Sequence, residues 1–232
     1  MEKVFIITGA SSGLGREISF LLDKPKYKLV LVSNDKKGLQ VVANKIDHET
    51  MIIDADLADS KSYHEIIEKT INKFGRIDCL INNAGINIKK PFYQFTQEEY
   101  DLMFALNTKA YIMLTKYAYN HMKHGKIVFI SSVAGLFAPK YYSFYGATKH
   151  AIEGFYKGAK KDISKDVKLH IFHPYRLKTN LSKDYIYKSP EKHKIHPKLY
   201  AEYVVAKIEN KHILACFYFI RIWLTWLIKL FT

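Results

Sequence analysis

Cysteine is nearly absent from this 232-residue chain: Cys79 and Cys216 are its only two, far apart and in no CxxC or Cys/His spacing. That excludes a disulfide framework and a thiolate zinc site, and it fits a reducing compartment. Acidic residues are also scarce, 22 Asp and Glu against 36 Lys and Arg, which leaves a net charge of +14. Such an excess attracts nucleic acid, anionic lipid or an anionic small molecule and does not choose among them. No Pro/Gly/Ser-rich linker divides the chain, and the apolar run after Met1-Glu2-Lys3 ends at Thr8-Gly9 with no cleavage site, so a cytoplasmic protein is expected. At 48% hydrophobic and 25% charged, the composition excludes disorder and collagen and suffices for one large globular unit.

Short apolar, β-branched runs recur at Val4–Ile7, Lys28–Val32, Met51–Ile53, Ile77–Ile81, Lys126–Ile130 and Val167–Phe172. Segments of helical periodicity separate them, at 13–23, 35–46, 60–73, 97–121, 144–163 and 198–209. Strands that are apolar throughout rather than alternating are covered on both faces, as crossover helices cover a parallel sheet. The rhythm predicts an α/β fold over 1–212, a single doubly wound parallel sheet in the order 3-2-1-4-5-6. Residues 213–232 read as an apolar extension, with Ile213–Cys216 a candidate seventh edge strand and Phe217 onward a helix.

The chemistry-bearing residues fall at the carboxyl ends of these strands, the ligand edge of such a sheet. The first strand runs into Thr8-Gly9-Ala10-Ser11-Ser12-Gly13-Leu14-Gly15 and then a helix. Glycines permit the tight turn and let main-chain N–H groups approach a pyrophosphate at a positive helix end. Asp56-Leu57, Asn82-Asn83-Ala84-Gly85 and Ser131-Ser132 follow the third, fourth and fifth strands. Tyr145 and Lys149 open a helix four residues apart and therefore share a face, thirteen residues after Ser132.

With these motifs the chain resembles the short-chain dehydrogenase/reductase family from residue 3 to about 209. The resemblance implies a Rossmann-type fold, an NAD(P)-dependent enzyme interconverting a carbonyl and an alcohol, and a homo-oligomer built from the helices bearing Asn107 and Tyr145. It makes Asn107, Ser132, Tyr145 and Lys149 the catalytic set, and Gly9, Ser11, Ser12, Gly13, Leu14 and Gly15 the dinucleotide cradle. It places Asp56, with Leu57, at the adenine, packs Asn83, Ala84 and Gly85 under the cofactor, and sets Leu177 and Thr179 at its nicotinamide end.

The acid–base chemistry follows from the residues. Carbonyl reduction needs a hydride at carbon, which the cofactor brings, and a proton at oxygen, which Tyr145 would bring. Lowering a phenol from about 10 to near 7 takes about 4 kcal/mol of phenolate stabilisation, the part expected of the Lys149 ammonium. Ser132 would orient the substrate oxygen, and Asn107, a mediocre helix former in a helical segment, would free a carbonyl for a water that feeds Lys149. The rival reading is a dinucleotide-binding redox sensor without turnover, since fold does not fix function. Nucleic-acid binding through the basic segment 157–198, with twelve Lys/Arg and four Asp/Glu, lacks a recognition helix or stacking motif and is set aside.

Two departures matter. Pro174-Tyr175 stands where the family carries Pro-Gly, and Ser33 replaces the acid that would hold an NAD ribose, so Ser33 and Asn34, with Lys36 or Lys37 nearby, favour NADP(H) over NAD(H). Position 34 lacks the Arg expected of strong NADP(H) binders. His121/His124 and His193/His196 lack acidic or thiolate partners, so no metal is expected, and the sequon Asn180-Leu181-Ser182 is read as chance. Tyr141, Tyr142, Phe144, Tyr185 and Tyr187 point to an apolar or lipid-like substrate. In the tail, Arg221, Thr225 and Lys229 form a narrow polar stripe amid Phe, Trp, Ile and Leu. An interfacial membrane anchor through 217–232 leads there, packing on a partner subunit follows, and a membrane span, which would bury Arg221 in hydrocarbon, ranks last.

Overall fold

The computed structural model describes residues 2–179, 181–183 and 194–231. Its main sheet comprises β1 (Lys3–Thr8), β2 (Tyr27–Ser33), β3 (Thr50–Asp54), β4 (Cys79–Asn82), β6 (Gly125–Ile130) and β7 (Val167–Phe172). All pairs are parallel, in the order β3-β2-β1-β4-β6-β7. This is the predicted doubly wound order once two short strands, β5 (Asn87–Ile88) and β8 (Ser182–Lys183), are set apart as a sheet of their own.

Burial explains the unbroken apolar strands: Ile6 and Ile7 point to opposite faces and both are fully buried. On one face, Phe5, Ile7, Leu29 and Leu31 pack under α1 (Gly13–Leu21), α2 (Lys36–Ala43) and α7 (Pro197–Ile208). On the other, Val4, Ile6, Val30 and Phe129 pack under α3 (Lys61–Phe74), α5 (Ala110–Tyr119) and α6 (Ser143–Asp162). Cys79 is buried in β4, where desolvation pushes its thiol up to about 12, so it fills the core as an inert side chain.

Two expectations need correction. The helix read over 97–121 is α4 (Gln97–Phe104) and α5 joined by a π-helical turn at Ala105–Lys109. The seventh strand at Ile213–Cys216 does not exist: these residues lie in α8 (His212–Phe231), and β7 stays at the sheet edge. The physical reason is one-sided burial at helical period. After Asn210 turns the chain at φ 61°, α8 lies on α7 with Ala215 fully buried while Ile213 is 91% exposed. A four-residue apolar run with no Gly or Pro after it continues into the helix it precedes.

Asp78 sets the alignment of the two central strands. Its carboxylate accepts the Val4 N–H at 2.9 Å and a forked pair from Arg76 at 2.6 and 2.8 Å, tying the start of β1 to the start of β4. Asp78→Ala should therefore lose about 2–3 kcal/mol, because a buried N–H and the guanidinium both lose their acceptor. In a chain of this size that is a fall in Tm of about 4–12 °C; an unchanged Tm in thermal denaturation would refute this account.

Candidate active site

The loops after the strands converge on a cavity of about 660 Å³. Ser33, Asn34, Asp56 and Leu57 line one end, the turn from Gly9 to Leu14 with Asn83, Ala84 and Gly85 the middle, and Ser132, Tyr145, Lys149, Leu177 and Thr179 the other. Of the predicted site residues only Gly15 and Asn107 stand behind the wall rather than in it.

Gly15 acts by what it lacks. A Cβ there would sit 2.3 Å from the Gly9 carbonyl oxygen, so the turn closes onto α1 only with glycine. Gly9 and Gly13 hold left-handed backbone at φ 65° and 54°. Asn83 fastens the turn to β4: its amide donates to the Thr8 carbonyl at 2.8 Å, and the Thr8 hydroxyl accepts from the N–H groups of Asn83 (2.8 Å) and Ala84 (3.0 Å). No side chain caps the N-terminus of α1 and no acid lies in its first turn, so its N–H groups and positive end face the cavity. That donor set, in a cavity of this length, fits a dinucleotide pyrophosphate.

The opposite end is organised around two buried groups, Tyr145 (4% exposed) and Lys149 (3%). The Ser132 hydroxyl accepts the Ala134 N–H at 3.1 Å and shares the cavity wall with Tyr145, whose phenolate it favours. The Lys149 ammonium donates to the Ile130 carbonyl at 3.1 Å, contacts the Tyr111 hydroxyl at 3.5 Å, and lies 5.8 Å from the Tyr145 ring centre. Burial pushes Tyr145 up to about 12, with Ser132 opposing, and pulls Lys149 down to about 7, with Glu153 opposing. The near-neutral phenol anticipated from the sequence is thus not produced by these residues alone, because desolvation outweighs the opposing effect of Ser132.

Asn107 is fully buried in the π-helical turn and spent on the backbone. Its side chain accepts from the Ile86 N–H and donates to the Ile86 carbonyl, both at 2.9 Å, and donates to Thr148 at 3.2 Å. It positions the loop after β4 against the residue preceding Lys149. Tyr111, which sequence reasoning missed, donates to the Ile130 carbonyl at 3.1 Å beneath the amine. Its signal was present as the residue four after Asn107, on the same helical face.

Among the aromatics expected near the site, Tyr142 lines the cavity, 6.0 Å from the Tyr145 ring. Tyr141 and Phe144 do not, and Phe144 instead packs on Phe95 at 4.4 Å. Tyr185, Tyr187, Asn180 and His193 fall outside the described residues. Tyr175 does stand in the cavity wall, with the Arg176 guanidinium 5.5 Å from its ring. Ser33 bonds Ser11 at 3.0 Å, and Asp35, also in the cavity wall, caps α2 by accepting the Gly38 N–H at 2.9 Å.

The profile of the family described as short chain dehydrogenase matches residues 3–189. The chain belongs to that family. It is accordingly a short-chain dehydrogenase/reductase, an oxidoreductase of the class that uses a nicotinamide dinucleotide. It is 33% identical to 11-beta-hydroxysteroid dehydrogenase-like 2 of Arabidopsis thaliana over 187 residues, 78% of this chain and 61% of that protein. It is 29% identical over 218 residues to an uncharacterized oxidoreductase of Staphylococcus aureus, covering 91% and 94% of the two chains. Among solved structures, the alcohol dehydrogenase of Thermococcus sibiricus complexed with 5-hydroxy-NADP shares the fold with a TM-score of 0.84 at 24% identity, covering 90% and 91%.

The lowered Lys149 fixes a sign. Between about 7 and 10.5 the unfolded chain holds a proton on this amine that the folded chain lacks, so its contribution to stability rises with pH through that window and is most unfavourable below it. Lys149→Met should raise Tm at pH 7 by several degrees and much less at pH 10, as read by calorimetry. An equal gain at both pH values would show that the amine is not held near 7.

Proposed function

We propose that this enzyme transfers hydride between NADP(H) and a carbonyl/alcohol pair on an apolar or lipid-like substrate, with Tyr145 as the proton donor in reduction and acceptor in oxidation. The observation that carries the reading is the buried Tyr145 phenol in the cavity wall with Ser132, and the Lys149 amine behind it. The glycine turn with Gly9, Ser11, Ser12, Gly13 and Leu14 would hold the pyrophosphate, and Asp56 and Leu57 the adenine. Leu177 and Thr179 would meet the nicotinamide end, over Asn83, Ala84 and Gly85. A bound nicotinamide supplies the hydride and, when oxidised, a positive charge beside the phenol.

This chain's own groups would do the rest. Ser132 holds the substrate oxygen against Tyr145, and the phenol passes its proton to that oxygen as negative charge develops there. A phenol held near 12 still protonates an alkoxide, a stronger base, so reduction is the direction these residues support unaided. Lys149 supplies the cation that stabilises the resulting phenolate, and Asn107 positions the loop and helix that carry the site. The NADP(H) preference is supported by the lack of an acid at Ser33, by Asn34 in the cavity wall and by exposed Lys36 and Lys37 beside it. The reading includes peripheral membrane contact through the 217–232 segment, supported by exposed Phe217, Ile220, Trp223 and Leu224.

NADPH should raise Tm more than NADH does, since a ligand confined to the folded state stabilises it in proportion to affinity. With a panel of carbonyl compounds, NADPH oxidation should be measurable, and Tyr145→Phe should cut kcat/KM by about 10²–10⁴ while the NADPH-induced thermal shift persists. Cofactor binding with no turnover on any carbonyl would favour the redox-sensor reading instead.

A further inference from the structure

We infer that α8 and the lysine-rich edge beside β7 form one continuous face that docks on an anionic lipid bilayer. The inference deepens the membrane contact in the reading above by naming the lipid class and extending the surface beyond the tail, and the docking itself does not depend on the redox chemistry.

The apolar half is α8. Its inner side rests on α7 through buried Ala215, the Phe219 ring 5.6 Å from Tyr203, and an Arg221–Glu202 contact at 3.4 Å. Its outer side is left to solvent: Ile213, Phe217, Ile220 and Leu224 follow the i, i+4, i+7, i+11 spacing of one helical stripe, with Trp223 beside them, and all are exposed. Exposed apolar surface of this extent marks an interaction face. Among the described residues no helix is long and apolar enough to cross a membrane, so the face lies on a bilayer rather than through it.

The cationic half adjoins it. Lys126 and Lys168 stand side by side on β6 and β7, one register step from His170 on the same face. Burial of the imidazole, with Lys126, Lys168 and Lys207 near it, holds it down to about 4. Its Nε2 is buried with no hydrogen-bond partner among the described residues. Lys126 also donates to the Ile208 carbonyl and, at 2.7 Å, to Asn210, so this cluster abuts the turn from which α8 starts. Lys168, His170 and Phe172 alternate onto one face of β7. Along that face His170 stacks on Phe172 (6.5 Å), Phe172 meets Tyr203 (5.4 Å), and Tyr203 meets Phe219 of α8. An unbroken ring row thus joins the lysines to the apolar stripe on the same side of the sheet.

Charge selects the occupant. A second copy docking by the same patch would bring its own lysine cluster against this one, in a molecule already at +14. Phosphate and carboxylate headgroups complement it instead, and an apolar helix face flanked by lysines is the pattern that seats in a headgroup layer. Self-association through α5 and α6 would leave the face open, because those helices cover the opposite side of the sheet.

The test is flotation of the full chain with vesicles of phosphatidylcholine alone and with one-third phosphatidylserine. Binding to the anionic vesicles at least about tenfold tighter, and weakened by salt, is expected. Lys168→Glu/Lys207→Glu should abolish the preference for phosphatidylserine, and Ile213→Ser/Phe217→Ser/Trp223→Ser should abolish binding to both vesicles. An NADPH-induced thermal shift in each variant shows that it is folded. No flotation with either vesicle, or loss of a dimer in the triple variant by sedimentation, overturns the proposal, the latter by showing that a second copy covers α8. NADPH turnover on a soluble carbonyl, measured on the same samples, reports on the redox reading separately, so either can fail while the other stands.

Discussion

Keeping one amine out of water is the constraint around which this site is built. Lys149 lies inside the protein on α6, and an ammonium there is tolerated only when its donors are met and a counter-charge stands near. The Ile130 carbonyl, at the end of β6, takes one of its hydrogens, the Tyr111 hydroxyl sits against it, and Glu153 one turn along α6 opposes its loss of charge. Glu153 is itself fixed, accepting from Ser131 at 2.7 Å and meeting His173 at 2.8 Å, which pins the ends of β6 and β7 to the helix that bears Tyr145. Gly135 closes the packing, since a Cβ there would lie 2.9 Å from the Ser131 hydroxyl and 3.1 Å from the Lys149 carbonyl. The environment that lowers the amine is therefore the same set of contacts that aims the phenol.

The sheet places this corner opposite the glycine turn. Crossovers from β1 proceed one way to β2 and β3 and the other way to β4, β6 and β7, so the connecting loops part at the boundary between β1 and β4. The clamp from Asn83 to Thr8 holds the two sides of that opening at a fixed width, and Asp78 fixes the other end of the same two strands. Gly85 lines the opening because any side chain would collide with the Asn107 amide, 2.7 Å from where its Cβ would be. Positioning residues thus lie one layer behind each wall residue, and the cavity is preorganised by strand register rather than by loop chemistry.

That layering explains what was legible in the sequence. Residues acting through local geometry announce themselves: Gly9 and Gly13 through a turn, and Tyr145 and Lys149 through helical spacing. Strand order followed from uniformly apolar runs, because burial on two faces leaves a mark on composition. Residues acting across the fold did not announce themselves. Asn107 stands out only as a mediocre helix former, and its burial and its bonds to Ile86 and Thr148 depend on a π-helical turn that periodicity cannot reveal. The Tyr111 hydroxyl bond depends on Ile130, nineteen residues away, and the run Ile213–Cys216 became helix because α7 offered it a surface. Local pattern cannot arbitrate a short apolar segment whose outcome is set by what it packs on.

The opposed shifts of the two reactive groups carry the last consequence. With the amine near 7 and the phenol near 12, these two groups together carry only a fraction of a positive charge at neutral pH. Any species that brings negative charge beside Lys149 favours its ammonium, and by linkage the protein then takes up a proton as that species binds. Affinity for negatively charged species must therefore weaken as pH rises through about 7, a property that follows from burial of the amine and would vanish if it stood in water.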